Sequence, residues 1–287
     1  MSRLFIILQY LLPHHMLSRL VGRFAESRRL RKPLIRAFIR RYKVDMSLAK
    51  VHDIDSFENF NDFFTRELRD GVRPISDEPG AIVSPADGAI SQLGTISDGL
   101  LLQAKGRHYS CESLLGNDSH MAELFSEGKF VTVYLSPRDY HRVHMPFTGV
   151  LQKTIYVPGK LFSVNQITAG AVPDLFARNE RLICLFQTEI GAMAVVLVGA
   201  MIVAGIDTVW AGQVCPVSGR REIRVTDYSK QTPPTELNKG AELGRFRLGS
   251  TAIVLLGHGV MELDPELEAD SAVAMGQPLG QVAGLEN

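Results

Sequence analysis

The spacing of apolar residues changes character near residue 76. Beyond it, short apolar runs alternate with Gly, Pro and Asp turns, as in Ala81-Ile82-Val83, Val131-Thr132-Val133-Tyr134-Leu135 and Leu182-Ile183-Cys184-Leu185-Phe186. Runs of this length, rich in β-branched and aromatic residues, predict strands of a mostly antiparallel β domain. Before residue 76 the period is helical. Leu17, Leu20, Val21 and Phe24, then Leu34, Ile35, Phe38 and Ile39, recur three and four apart, with Arg19, Arg23, Arg28, Arg36 and Arg40 interleaved. This predicts two amphipathic helices with a basic face. Residues 51–75 read as a helical linker whose Phe57, Phe60, Phe63 and Phe64 pack a core, ended by Arg73-Pro74-Ile75. The expected fold class is α+β: a helical region over 1–75 and a β-rich domain over 76–287.

One apolar run needs a decision. Ile190 to Ile206 is seventeen residues without a charge, at the lower edge of a membrane span, but Gly191, Gly199 and Gly205 interrupt it. Two buried strands joined by a turn explain it better. A weak internal repeat also appears: Lys239-Gly240-Ala241-Glu242-Leu243-Gly244 and Met275-Gly276-Gln277-Pro278-Leu279-Gly280 share Gly-x-x-Leu-Gly. Pro85-Ala86-Asp87-Gly88 and Pro216-Val217-Ser218-Gly219 are similar turns. Such turns resemble those of the flattened β-sandwich of biotinyl and lipoyl carriers. No lysine lies where a carrier's attachment hairpin would place it, so the resemblance is one of fold only.

Charge adds to the picture of the N-terminal region. The chain of 287 residues has a formal net charge of zero, yet residues 1–43 hold nine Arg and two Lys against Glu26 alone, +10, leaving −10 on the rest. Such asymmetry points to an anionic partner for the basic end. Amphipathic helices of this kind lie in a membrane surface, apolar side down, with anionic headgroups contributing about 1 kcal/mol per basic residue. Nucleic acid fits less well, because the apolar faces are too extensive and no recognition motif follows. The apolar stretch Leu4 to Leu12 runs into Pro13, His14 and His15 with no small-residue cleavage site, unlike a signal peptide. Cys111, Cys184 and Cys215 are odd in number and far apart, so they form neither a disulfide framework nor a zinc pattern, and a reducing, cytosolic setting is expected.

Candidate chemistry centres on Arg245-Phe246-Arg247-Leu248-Gly249-Ser250-Thr251, which opens the apolar run Ala252 to Leu256. Gly249 leaves its carbonyl carbon sterically open, and Ser250 puts a hydroxyl beside it. With a base to take its proton, such a serine can attack the preceding peptide bond and convert an amide to an ester, with Thr251 as a donor to the oxyanion. The densest polar cluster, Ser136 to Pro146, contains His141 and His144, either of which suits a general base near neutral pH. A metal site is not expected, because no third ligand lies nearby. A carboxylate is needed to orient the base, and Asp87, Asp139 and Asp207 are all candidates.

These stretches together resemble the bacterial pyruvoyl-dependent phosphatidylserine decarboxylases (the prokaryotic type I proenzymes). The likeness runs nearly end to end. It includes the basic amphipathic start, Phe-Phe-Thr-Arg-Glu-Leu at 63–68, Ser-Pro-Ala-Asp-Gly at 84–88 and Tyr-His-Arg-Val-His-Met-Pro at 140–146. Pro-Gly-Lys-Leu-Phe-Ser-Val-Asn at 158–165 and Leu-Gly-Ser-Thr at 248–251 complete it.

The resemblance implies a self-processing relay of Asp87, His144 and Ser250 that cleaves between Gly249 and Ser250. The products would be a large subunit, 1–249, and a small subunit, 250–287, that stay associated. It implies a covalent pyruvoyl cofactor made from Ser250, no metal, and a Schiff base between that group and the amine of phosphatidylserine. CO2 is then lost to give phosphatidylethanolamine. His141 is the candidate proton donor. Lys160, Leu161, Phe162, Ser163 and Val164 are the candidate substrate-binding segment, with backbone N–H groups and Ser163 as donors to the lipid phosphate and glycerol. The expected setting is the cytoplasmic side of the bacterial inner membrane, peripherally attached, as a homodimer of processed heterodimers. Two rival readings remain. One is a serine hydrolase using Asp87, His144 and Ser250, although its usual Gly-x-Ser-x-Gly elbow is missing around 250. The other is a non-catalytic membrane-binding module, which leaves the His and Gly-Ser motifs without a purpose.

Overall fold

The computed structural model describes residues 2–201, 205–215 and 222–284. The N-terminal region forms three helices, α1 (Ser2–Leu11), α2 (His14–Ala25) and α3 (Arg31–Tyr42). The linker is less helical than expected: a single turn, α4 (Phe60–Phe64), capped by the Asn59 side chain, is its only α-helix among the described residues.

The strands that position the site are, in chain order, β1 (Ala81–Val83), β2 (Gly88–Thr95), β3 (Lys129–Leu135), β4 (Arg142–His144), β5 (Gly149–Val157) and β6 (Arg181–Thr188). They continue as β7 (Gly191–Gly199), β8 (Gly205–Thr208), β9 (Glu242–Arg247), β10 (Ser250–Leu256), β11 (Met261–Leu263) and β12 (Pro278–Val282). A nine-stranded antiparallel sheet carries β5-β6-β7-β10-β3-β2 in that order, and β10 lies at its middle. A four-stranded sheet contains β8-β9-β4, and a three-stranded one β1-β12-β11.

Side chains of the large sheet alternate between two cores, as a period of two requires. Ala252, Val254 and Leu256 of β10 face the smaller sheets, together with Val143, Met145, Leu243 and Phe246. Ile253 and Leu255 face the opposite core, roofed by Tyr109, Phe125, Phe162 and Phe176. The fold is therefore α+β, with smaller sheets on one face of a large sheet and short helices on the other. The uncharged run splits as expected, into β7 and β8, which belong to different sheets. The turn Pro216–Gly219 lies outside the described residues.

A third cluster joins the helices to the site. Ile35, Phe57, Phe60, Phe63 and Phe64 are buried together with Leu248, and Leu34, Phe38 and Ile39 pack against them. The apolar face of α3 is thus spent on its own protein, because four phenylalanines offer it a larger apolar surface than water does. Helices α1 and α2, by contrast, leave several large apolar side chains outside. On α2 the buried face is small or polar, His14, Ser18, Gly22 and Ala25, while Met16, Leu20 and Phe24 are 68, 49 and 50 % exposed. Among the described residues, no helix is long and apolar enough to cross a membrane.

Candidate active site

The chain enters β10 through two successive left-handed residues, Leu248 (φ 78) and Gly249 (φ 61). A glycine takes this conformation freely, but a leucine pays roughly 1–2 kcal/mol for it. Leu248 is held there by burial of its side chain against α2–α4. Ser250 follows at once, between Leu135 of β3 and Gly199 of β7. Alternation along β10 turns its side chain toward the layer that holds β4 and β9. Ser250 is fully buried, and its Oγ and the Thr251 Oγ1 have no hydrogen-bond partner. Orphaned buried hydroxyls are costly, which marks this point as more than a strand beginning.

The loop from Leu135 to β4 links Ser250's neighbour to the two histidines. His141 is fully buried, with its ring 4.0 Å from that of Phe64, and its carbonyl accepts from Phe246 N–H at 3.0 Å. Its Nδ1 is 2.9 Å from the Asp139 carbonyl, and a carbonyl only accepts, so the ring proton sits on Nδ1. Nε2 is left as a lone pair with no partner. Burial lowers the pKa of this ring to about 3, so it is neutral. His144 ends β4, three residues on, opposite Glu242. Its Nδ1–H goes to the Gly240 carbonyl at 2.9 Å, and its Nε2 accepts from the Tyr140 hydroxyl at 3.0 Å. Burial pushes its pKa below the usual histidine value, so it too is a neutral base.

Asp87 ends the Ser84–Asp87 turn beside β4, since His144 N–H donates to the Pro85 carbonyl at 2.8 Å. Both carboxylate oxygens face Arg73, at 2.8 and 2.6 Å, and Met275 N–H donates to one of them at 2.8 Å. Gly88 abuts the Tyr134 carbonyl, and Tyr134 is paired to Thr251, so Asp87 and Ser250 lie at the same end of the sheet. They are two strands apart, roughly 10 Å at the usual strand spacing.

The internal repeat has a visible purpose here. Gly240 and Gly276, equivalent in the two Gly-x-x-Leu-Gly turns, both have positive φ and both press on Ile75, where an added Cβ would come within 3 Å of its side chain. One turn supplies the carbonyl that fixes the His144 ring, and the other supplies the N–H that fixes the Asp87 carboxylate.

Of the expected relay residues, Asp87 and His144 lie around the Ser250 end of the sheet, together with His141, the candidate proton donor. Their side chains bond to other partners. The ring of His144 is oriented by Gly240 rather than by Asp87, and Asp87 is neutralised by Arg73. Asp207 pairs with Arg247, and Asp139 holds His141 through its carbonyl, not its carboxylate. The sequence alone assigns no functional role to Tyr140, Gly240 or Arg73. Only the Tyr140-His-Arg-Val-His spacing hinted at the first.

The segment 160–164 flanks Ser250 on the opposite side. The Asn179 amide donates to the carbonyls of Gly199, the β7 partner of Ser250, and of Phe162, and its oxygen accepts from Phe162 N–H. Leu161, Phe162 and Val164 are buried in the core. The N–H groups expected to hold phosphate are engaged: Leu161 with His14 Nδ1 at 3.3 Å and Ser163 with Gln9 Oε1 at 2.9 Å. Lys160 and Phe162 line a cavity of about 330 Å³ with Tyr10, His14 and Arg178. Helices α1 and α2 therefore sit directly over this flank. Arg19, Arg23, Arg28, Arg36 and Arg40 are all exposed, and Arg28 lies 3.7 Å from Glu58. Among the described residues, no group of three or more His, Cys, Asp or Glu forms a metal-ligand set.

Comparison with known proteins gives this geometry a lineage. The family model described as phosphatidylserine decarboxylase matches residues 60–281, and a second, described as PSD, matches 4–43. The chain is 60 % identical over 282 residues to a phosphatidylserine decarboxylase proenzyme of Ectopseudomonas mendocina (strain ymp), covering 97 % of this chain and 98 % of the relative. It is 59 % identical over 281 residues to the proenzyme of Pseudomonas aeruginosa (97 % and 96 % covered) and 59 % identical over 285 residues to that of Pseudomonas putida (98 % and 99 %). A family match over most of the chain and relatives this similar along their whole length settle the lineage: the chain belongs to the phosphatidylserine decarboxylase family.

Proposed function

We propose that this protein cleaves itself between Gly249 and Ser250 and then decarboxylates phosphatidylserine to phosphatidylethanolamine. The observation that carries the reading is the buried, unpartnered Ser250 Oγ immediately behind the two left-handed residues Leu248 and Gly249. A hydroxyl without a partner is free to attack, and relief of backbone strain favours rearrangement of that peptide unit.

Ser250 Oγ adds to the Gly249 carbonyl carbon, and the C–N bond breaks to leave an ester on Ser250. A base takes the Ser250 α-proton, the ester C–O bond breaks, and Gly249 leaves as a carboxylate. The dehydroalanine at 250 tautomerises, adds water and releases ammonia, which leaves a pyruvoyl group at the new N-terminus. His144 acts as base, exchanging the Tyr140 hydroxyl for that of Ser250. Asp87 supports it by fixing the turn whose Pro85 carbonyl holds the His144 backbone. The surroundings suit the product: an added Cβ at Gly249 meets nothing within 4 Å, and Ser250 is shielded from water.

The pyruvoyl carbonyl supplies an electron sink for the bond to CO2. His141, with a free Nε2 lone pair, is placed to relay a proton to the substrate α-carbon once substrate occupies the site. The segment 160–164, beneath α1 and α2, borders the lipid's glycerol and acyl portion, with Lys160 and the Ser163 hydroxyl as its polar groups. Helices α1 and α2 dock on the cytoplasmic face of the inner membrane. Their exposed apolar residues enter the lipid, and Arg19 and Arg23 meet anionic headgroups.

A serine hydrolase acting on external esters has less support, because Ser250 is sealed inside a paired central strand. The test is CO2 release from carboxyl-labelled phosphatidylserine in mixed micelles. The unsubstituted protein should release it and Ser250→Ala should not. Absence of release from the unsubstituted protein, or equal release from both, contradicts the proposal.

A further inference from the structure

Beside Asp87 lies a second cavity, of about 250 Å³, most of whose charged lining has no role in the chemistry above. One wall is Arg66, from the Phe-Phe-Thr-Arg stretch. Arg66 is only 5 % exposed, and its Nε and Nη1 donate to nothing. Its Nη2 donates to the Arg138 carbonyl at 3.3 Å, and its guanidinium lies 5.4 Å from the Phe63 ring centroid. Guanidinium does not give up its proton in proteins, so this is a buried charge with two unused donors. Buried charges are ordinarily paired, and an unpaired one calls for a counter-ion.

The cavity's own carboxylates do not meet that need. Asp87 is taken by Arg73, Asp139 accepts from Ser136 N–H, and Asp45 accepts from Ser47 N–H. Lys43, Arg73 and Arg138 line the cavity with Arg66, so its walls hold four cations against three carboxylates, an excess of one positive charge. A monoanion with several acceptor oxygens satisfies both the charge and the two donors. The loop that provides Arg138, Asp139 and Tyr140 begins at Leu135, the strand partner of Ser250, and ends at His141. The cavity therefore lies at the Ser250 end of the large sheet.

We infer that this cavity binds the phosphodiester of the phospholipid headgroup, with Arg66 as the donor that grips its oxygens. The inference rests on the decarboxylase reading for its choice of lipid. The serine carboxylate fits less well, because an arginine holding it would stabilise the ground state of the group that must leave as neutral CO2. The phosphodiester is unchanged by the reaction, so gripping it costs the chemical step nothing. The N–H groups of Leu161 and Ser163 are occupied, so they offer the phosphate no donor.

The test uses glycerophosphoethanolamine, which carries the same phosphodiester without acyl chains, titrated by 31P NMR into Ser250→Ala protein. Arg66→Gln in that background should weaken binding about ten- to a hundredfold, the usual worth of a charge-assisted hydrogen-bonded pair. Arg138→Gln, whose side chain is 70 % exposed and whose loss leaves packing intact, should weaken it about two- to fivefold. In protein that retains Ser250, Arg66→Lys should be cut normally and should raise KM for dihexanoyl phosphatidylserine about tenfold while kcat stays within threefold. Undiminished diester binding in both glutamine variants overturns the inference, as does binding of inorganic phosphate but not of the diester. Failure of the unsubstituted protein to release CO2 overturns instead the decarboxylase reading, and the diester titration is decided independently of it.

Discussion

Gly249 and Leu248 illustrate how a single backbone setting prepares a bond for cleavage. An alanine at 249 meets nothing, so its cost is purely conformational. Gly249→Ala should fold, lose roughly 1–2 kcal/mol in urea unfolding, and process more slowly; unchanged stability would contradict the strained geometry. His141 makes a second prediction at this scale. Its folded pKa is about 3 against 6.5 unfolded, so between those values the unfolded chain binds the extra proton. Stability should therefore fall as pH drops below 6.5, by about 1.4 kcal/mol per unit from this residue, and His141→Asn should flatten the slope. Equal slopes in urea titrations at pH 7, 6 and 5 would remove the buried, neutral assignment. At the residue scale the sequence was legible where chemistry needs one residue type. Gly249-Ser250 and the two histidines stood out on that ground. Arg66, Tyr140 and Gly240 did not, because each works through a partner, or the lack of one, that only tertiary folding brings near.

Among elements, the N-terminal helices divide a task that their sequences present as shared. Both α2 and α3 carry helical apolar stripes and interleaved arginines, and periodicity alone assigns both to a membrane surface. Four phenylalanines from residues 57–64 claim the stripe of α3 instead. On α2 the buried face is made of small residues, and Met16, Leu20 and Phe24 remain outside. Nothing local distinguishes the two cases; the difference lies in what each helix packs against. Replacing Met16, Leu20 and Phe24 together by serine should abolish flotation with anionic liposomes, since each buried apolar side chain contributes about 1.5–3 kcal/mol. Processing should be unaffected, and binding by the unsubstituted protein should weaken as salt rises. Flotation unchanged in the triple variant would contradict docking through α2. The β domain was easier to read, because short runs bounded by Gly and Pro leave little choice but strands. The repeat of Gly-x-x-Leu-Gly was visible too, but its use, clamping Ile75 while orienting His144 and Asp87, was not.

The molecule as a whole is built around a strand that its own chemistry would make a chain terminus. Strand β10 pairs along its full length with β3 and β7 and buries all seven of its residues. Cutting before Ser250 severs the covalent path but leaves the ladder of residues 251–256 in place, so 1–249 and 250–287 should stay one folded body. Helices α1–α4, the strand ends and the two cavities all converge on the Ser250 end of the sheet, where a bilayer lipid has to be brought to a buried group. The measurement that tests this account most directly is the intact mass of the purified protein under denaturing conditions. The account predicts two chains divided between Gly249 and Ser250, the smaller one blocked at its N-terminus, and a single chain in Ser250→Ala. A fully active protein that remains one chain of 31.7 kDa would contradict it.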